Sequence, residues 1–438
     1  MDTATTPSRL RLLLVTLVML SLAWGVIAAL IADQHASAAA SVVAVSEPLS
    51  LDAEQIYQGL SDADDTAANA FLVGGLEPAA SRQHYDADIA QAAIRIQAAS
   101  ALVGSSAART QLPGHLEQQA YAAGSATGND LATLSAGLPV YTGEVETARA
   151  DNRLGLPLGA AYLREASALL RGTLLTAASD IYTRESGLLT SASAQATGLP
   201  LIVFAIVLGL GVGYVLYRCW RWLTRHSHRI INNGLLVAAV AGAVSLIWLA
   251  SAFAVGRAEL LHAQQHGSVP AEAFARADVA ALQAHADESL TLIDNSGDDS
   301  YQQDFKSQQK LLGPGPGPGP GTLLAAVQAP AGSGVSVAAA SADALAWYQA
   351  HAALRALDNG GNHAAAVQSA LTGDAAAKFA ALSTVLSNGI NADQAVFASS
   401  AHNGRDAFTG LTVGMIVASL VMAAGCAWGL SRRLAEYR

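Results

Sequence analysis

Cysteine is nearly missing from this chain: two residues in 438, Cys219 and Cys426. Both fall in or at the end of apolar runs. The two long segments between those runs have none, so disulfides do not staple them and they must fold by packing. Charge is scarce as well. Charged residues make up 13% of the chain and hydrophobic ones 52%, an unusual balance for a soluble globular protein. No P-loop and no Gly-x-Gly-x-x-Gly fingerprint occurs, and the eleven histidines include no His-Glu-x-x-His pair. Ser307-Gln308-Gln309-Lys310 matches a Ser-x-x-Lys acyl-enzyme motif, but the companion Lys-Thr-Gly is absent. The expectation is therefore a non-enzymatic protein with no catalytic residue, no cofactor and no metal site.

What the chain does have is four charge-free stretches. They run from Leu12 to Ala32, from Ser186 to Tyr217, between Arg229 and Arg257, and between Asp406 and Arg432. Each supplies the roughly 20 apolar residues that a helix needs to cross about 30 Å of hydrocarbon. The predicted spans are 12–32, 198–217, 235–256 and 409–430. The first stretch has a rival reading as a cleavable signal peptide, with Arg9 and Arg11 before it and Ala36-Ser-Ala-Ala-Ala40 after it. It is longer than the usual signal core of about 7–15 residues, which favours a span.

Orientation follows from arginine placement. The short segments 1–11, 218–234 and 431–438 hold nine arginines against two acids, for a net charge of +7. The long segments 33–197 and 257–408 carry net charges of −10 and −7. Short basic segments stay inside, which predicts a multi-pass plasma-membrane protein with both termini cytoplasmic and two acidic extracytoplasmic segments. Acidic outer faces argue against nucleic acid as a partner. Inner segments this short cannot fold into an enzyme, so any output needs a separate cytoplasmic protein. Arg218, Arg221, Arg225 and Arg229, in the largest cytoplasmic loop, are the candidate contact. With Trp220 and Trp222 they suit an interfacial anchor on anionic lipid equally well. No Asp, Glu, Lys or Arg lies in a span core, which argues against ion-coupled transport. Gly209, Gly211, Gly213 and Gly242 read as points of close helix packing.

Periodicity in both outer segments is helical. Tyr85, Ile89, Ala92, Ile96, Ala99 and Val103 share one seam. Leu131, Leu134, Leu138, Tyr141, Val145 and Ala148 share a second, and Leu163, Ala166, Leu170, Leu174, Ala177, Ile181 and Leu188 a third. Ile56, Leu60, Ala63, Ala67 and Ala70 form a weaker one. Pro139 should kink its helix, and Gly74-Gly75 followed by Glu77-Pro78 marks a helix end and the next start. In 257–408 the seams are Phe379, Leu382, Leu386, Ile390 and Phe397, and Leu345, Tyr348 and Ala352. The Gly-Pro alternation at 313–321 reads as an exposed spacer. The expected fold is an all-α membrane protein: four transmembrane helices and two extracytoplasmic helical bundles of four-helix type, internally duplicated as 1–218 and 225–438.

Asp62, Asp64 and Asp65 invite a calcium reading, but an EF-hand loop would need Gly and Glu where Ala67 and Val73 stand. They read as a solvated helix face. Asp294 to Asp299 reads as a turn.

The stretch from Leu60 to Phe71, then Gly74-Gly-Leu-Glu-Pro78 and Tyr85-Asp-Ala-Asp-Ile-Ala-Gln91, resembles the actinobacterial GlnX-type four-span membrane sensors. Ala286 to Leu292 and Asp298 to Phe305 resemble the second outer domain of that family. The resemblance implies a signal relay. An extracytoplasmic solute-binding lipoprotein of the glutamine-binding type docks outside, and a cytoplasmic serine/threonine kinase responds within. Homodimerisation is compatible with this plan, as is direct binding of a small molecule in a bundle core. Two other classes share the topology: a permease-like subunit of an ABC-type export or cell-division complex, and a structural or adhesion protein.

Overall fold

In hydrocarbon an unbranched apolar run can satisfy its backbone only as a helix, and 3.6-residue apolar stripes select the same element outside it. The computed structural model describes residues 6–41, 47–104, 114–198, 200–227, 232–294, 299–313, 321–326 and 337–435, and among them there is no strand. The helices are α1 (Thr6–Ser41), α2 (Glu47–Leu72), α3 (Ala79–Gly104), α4 (Gly114–Arg153), α5 (Leu158–Leu169), α6 (Leu175–Ala196), α7 (Pro200–Ser227) and α8 (Asn233–Ala263). They are followed by α9 (Val269–Ile293), α10 (Ser300–Leu312), α11 (Leu323–Ala326), α12 (Val337–Asn359), α13 (His363–Thr372), α14 (Asp374–Asp406) and α15 (Leu411–Ala435). One π-helical turn, Leu170–Leu174, joins α5 to α6, and another, Gln264–Ser268, joins α8 to α9.

The chain divides into two compact units. One comprises Met1–Val42, Ser191–Leu261 and Ser400–Arg438, and it holds four helical stretches long and apolar enough to cross a membrane. Its core is largely apolar, with Leu17, Trp24, Leu249, Leu411 and Met415 at 3% exposure or less, and with Ser21, His35 and Ser245 among its buried polar side chains. Both cysteines are buried there and free. Small residues set the closeness of the helices. A Cβ on Gly234 would lie 2.4 Å from the Gly429 nitrogen and 2.5 Å from the Gly425 oxygen, and one on Gly25 would lie 2.0 Å from the Ser419 Cβ. Gly209 and Gly242 likewise meet Leu246, Trp24 and Met422, as the sequence suggests. Gly211 and Gly213 do not: nothing lies within 4 Å of a Cβ at either, and both face outward. Exposed Val203, Phe204, Val207, Val240, Ile247 and Val417 give this unit an apolar exterior, as contact with acyl chains requires.

The other unit comprises Val43–Thr190 and His262–Ser399, so both long inter-span segments interlock in one body. Helix α2 packs against α3 on one side and α9 on the other. The apolar seams read from the first segment are buried as expected: Leu60, Leu134, Tyr141, Ala148, Leu170, Leu174 and Ile181 have no exposed surface. Helix α4 continues through Pro139. Gly74 and Gly75 end the α2 turn at φ of 69° and 61°, a region that side chains avoid. One stripe is rotated. On α12 the buried positions include Ala344, Trp347, Tyr348, His351 and Leu354, while Leu345 is half-buried and Ala352 exposed. The large Trp347 ring, fully buried between Phe305 and Phe379, sets that face. The Gly-Pro residues 314–320 lie outside the described residues, flanked by Gly313 and Gly321 with positive φ.

Candidate functional site

The polar centre of the second unit is built where α2 meets α9. Helix α9 carries alanine on every side (Ala271, Ala273, Ala275, Ala277, Ala280, Ala281, Ala284 and Ala286), and a helix apolar all round is a buried one. Of its 25 residues, 20 are buried. That places the titratable side chains of Asp278, His285, Asp287 and Glu288 inside the protein, where each needs a partner or a proton.

Three linkages supply most of the partners. Arg171, from the π-turn after α5, donates through Nε to Asp64 Oδ2 at 3.1 Å and through Nη1 to Asp287 Oδ1. Ser167 adds a hydroxyl to the same Asp64 oxygen at 2.8 Å. The wider π-turn adds a residue to the helix at the position of this arginine, and such turns recur at functional sites. His285 Nδ1 lies 2.7 Å from Asp65 Oδ1, with its ring stacked on Phe379 at 3.8 Å. His351 Nδ1 lies 2.6 Å from Glu288 Oε2, with its ring stacked on Phe305 at 3.6 Å. Two histidines are thus held alike, each flat on a phenylalanine and bonded to a buried carboxylate. Further along α2, Glu54 Oε1 accepts from Gln394 Nε2 at 3.0 Å. A cavity of about 60 Å³ beside it is lined by Glu47, Ser50, Tyr182, Glu272 and Phe397, room for a few water molecules.

Burial dominates the proton affinities here. It pushes Glu54 up to about 8 despite the bond from Gln394, and Asp287 up to about 7 despite Arg171. Asp278 also rises to about 7, from burial and from the nearby charges of Asp62 and Asp65. In the Asp65–His285 pair, burial raises the carboxyl. The same burial disfavours the imidazolium, but its attraction to Asp65 outweighs this, so both groups hold protons more tightly than in water. The seam is therefore rich in carboxylates whose charge is set within about one unit of neutral pH.

The solvated-face expectation for the α2 acids holds for none of the three. Asp64 and Asp65 are 3% and 5% exposed, and Asp62 is partly buried beside His84. The physical reason is that neighbouring helices cover α2 and bring cations to it: His285 of α9 to Asp65, Arg171 of the π-turn to Asp64, and His84 of α3 to Asp62. Asp294, read as part of a turn, ends α9 and pairs with Arg164 at 3.1 Å.

Arg218, Arg221 and Arg225 lie far along the sequence from this seam. The expected loop at 218–234 is mostly helix, because α7 runs on to Ser227. Those three arginines, spaced by three and four, form an exposed stripe on its last turns. Arg229 lies outside the described residues. These arginines belong to the span-bearing unit, and the seam to the other. The residues that form the seam's partners (Arg171, Asp278, His285, His351 and Glu54) were not singled out from the sequence.

Against known proteins, one comparison gives a match. Residues 38–194 match the family model described as an actinobacterial sensor domain. The match runs from the end of α1 to the end of α6, and so contributes α2, with Glu54, Asp64 and Asp65, and the π-turn with Arg171. It points to a sensor role for this segment. No curated protein and no solved structure matches the chain.

Proposed function

We propose that the protein is a transmembrane sensor that relays the state of an extracytoplasmic partner to a cytoplasmic serine/threonine kinase. The carrying observation is that α2 of the sensor-domain segment shares its buried ion pairs with α9, which follows directly on span helix α8. The unit built from the acidic segments lies outside, by the arginine distribution. Docking of a solute-loaded binding lipoprotein on the sensor-domain segment favours one of two packings of α2 against α9, since packed helices with discrete ion-pair partners are bistable rather than continuously deformable. The output surface is the exposed stripe Arg218, Arg221 and Arg225, with Arg229 of the same basic segment, and amino acids are the class of solute sensed.

The test is kinase-dependent phosphorylation in cells given an amino-acid pulse. In the wild type phosphorylation changes with the pulse. In a strain carrying Asp65→Asn with His285→Gln the response falls at least fivefold, while the protein still reaches the membrane in normal amount. Arg221→Glu with Arg225→Glu abolishes the response if the stripe is the inner contact. An unaltered response after deletion of the whole chain sinks the proposal.

A further inference from the structure

We infer that Asp62, His84 and Asp88 form a binding site for a divalent transition-metal ion, with Zn²⁺ the best-fitting species. His84 and Asp88 are one helical turn apart on α3, and Asp62 faces them from α2. One ligand atom from each lies within 4.8 Å of the other two. His84 Nε2 is 3.1 Å from Asp62 Oδ2 and 3.7 Å from Asp88 Oδ2. A single imidazole N–H cannot serve both carboxylates, and Asp62 takes the hydrogen bond. Asp88 Oδ2 is left buried, pointing at the same nitrogen from beyond hydrogen-bond distance, with no donor of its own.

An ion at the centroid of the three atoms resolves that deficit. Zinc takes imidazole nitrogen and carboxylate oxygen at about 2.0–2.2 Å, and sites with three protein ligands keep the remaining position for water. The present spacing needs only small side-chain rotations to reach those distances. The imidazole selects against Ca²⁺ and Mg²⁺, which prefer all-oxygen sets. His84 is 56% exposed, which gives the ion a way in, while Asp88 at 16% anchors the inner side. Because Asp62 stands three residues before Asp65, a bound ion fastens to α3 the same stretch of α2 that carries the buried seam.

The experiment uses the full chain in detergent, purified without a polyhistidine tag and titrated with Zn²⁺ by calorimetry. Co²⁺ serves as a second probe, read by its visible absorption. Wild type is expected to bind one ion through this site. His84→Ala and Asp88→Asn each weaken that binding at least tenfold and remove the Co²⁺ band; His84 is exposed and Asp88→Asn keeps the side chain's shape, so both variants fold. His363→Ala, which removes an exposed histidine paired with Asp358 elsewhere, leaves the titration unchanged. Absence of stoichiometric binding by the wild type overturns the assignment, as does binding in which both variants match the wild type. The readout is metal occupancy, so it stands apart from the test of signalling.

Discussion

The two units hold their helices together by opposite means. In the span-bearing unit, backbones approach over Gly25, Gly234, Gly425 and Gly429, and the interior buries no carboxylate or arginine among the described residues, only small hydroxyls and His35 beside its apolar core. Lipid tails are as apolar as leucine, so packing detail rather than exclusion from water holds such helices together. In the other unit the central contact, α2 on α9, buries Asp64, Asp65, Asp287 and His285, and α12 buries His351 against Glu288 of α9. Burying charge is a poor route to stability, since apolar residues of equal volume often do as well or better. What it supplies is a discrete set of partners, and with them a small number of allowed registers between the helices. One unit is built for closeness and the other for choice.

The largest effect that would break this contrast is at Arg171. Replacing it with alanine leaves Asp64 and Asp287 buried without their cation, a loss expected at about 3–5 kcal/mol and read as a lowered thermal midpoint in detergent. Converting all three residues to apolar ones of similar size should recover most of that loss. If Arg171→Ala alone cost under about 1 kcal/mol, in the range of exposed pairs, the seam would have no special standing. Next comes Gly234→Val, which drives a side chain into the Gly425–Gly429 backbone and should cost about 1–3 kcal/mol by overpacking. Gly211→Val, with open space around it, should leave the same melting curve unchanged and so marks the size of the contrast.

The same contrast is sharpened by pH. Glu54, Asp278 and Asp287 bind protons more tightly folded than unfolded. Between the unfolded carboxylate value near 4 and the folded values of about 7 to 8, the native state thus carries extra protons. Stability falls as pH rises through that window. Melting of the second unit should therefore come at a lower temperature at pH 8 than at pH 5.5. Glu54→Gln, which keeps the oxygen that accepts from Gln394, should flatten part of that slope. An unchanged slope in the variant would place the dependence elsewhere.

Much of this architecture was legible in the sequence because apolar stripes and charge-free runs act locally. Leu131 to Ala148 and Leu163 to Ile181 lie buried where their spacing put them, and the all-α membrane class follows from those runs. The α12 stripe was misplaced because Leu345 outranked Trp347 on spacing alone. The polar seam was hidden for a different reason: an acid on a helix looks solvated until the covering helix is known, and α9 comes from more than 200 residues away. Two signals were available. Asp64 stands four residues after Leu60, on the apolar stripe itself, and α9 has alanine on all its faces. Arg171 in a π-turn had no local signature, and His84 became noticeable only once Asp62 faced it.

The reach of α9 into the first segment has a practical corollary for anyone cutting the gene. The stretch that matches the sensor family, 38–194, holds Glu54, Asp64 and Asp65 but not Gln394, Asp287 or His285. Made alone, it would present a bare acidic strip along α2 beside uncovered leucines and alanines. The recognisable module and the compact unit are different pieces of chain, and the rest of that unit follows only after two further apolar, span-length helices.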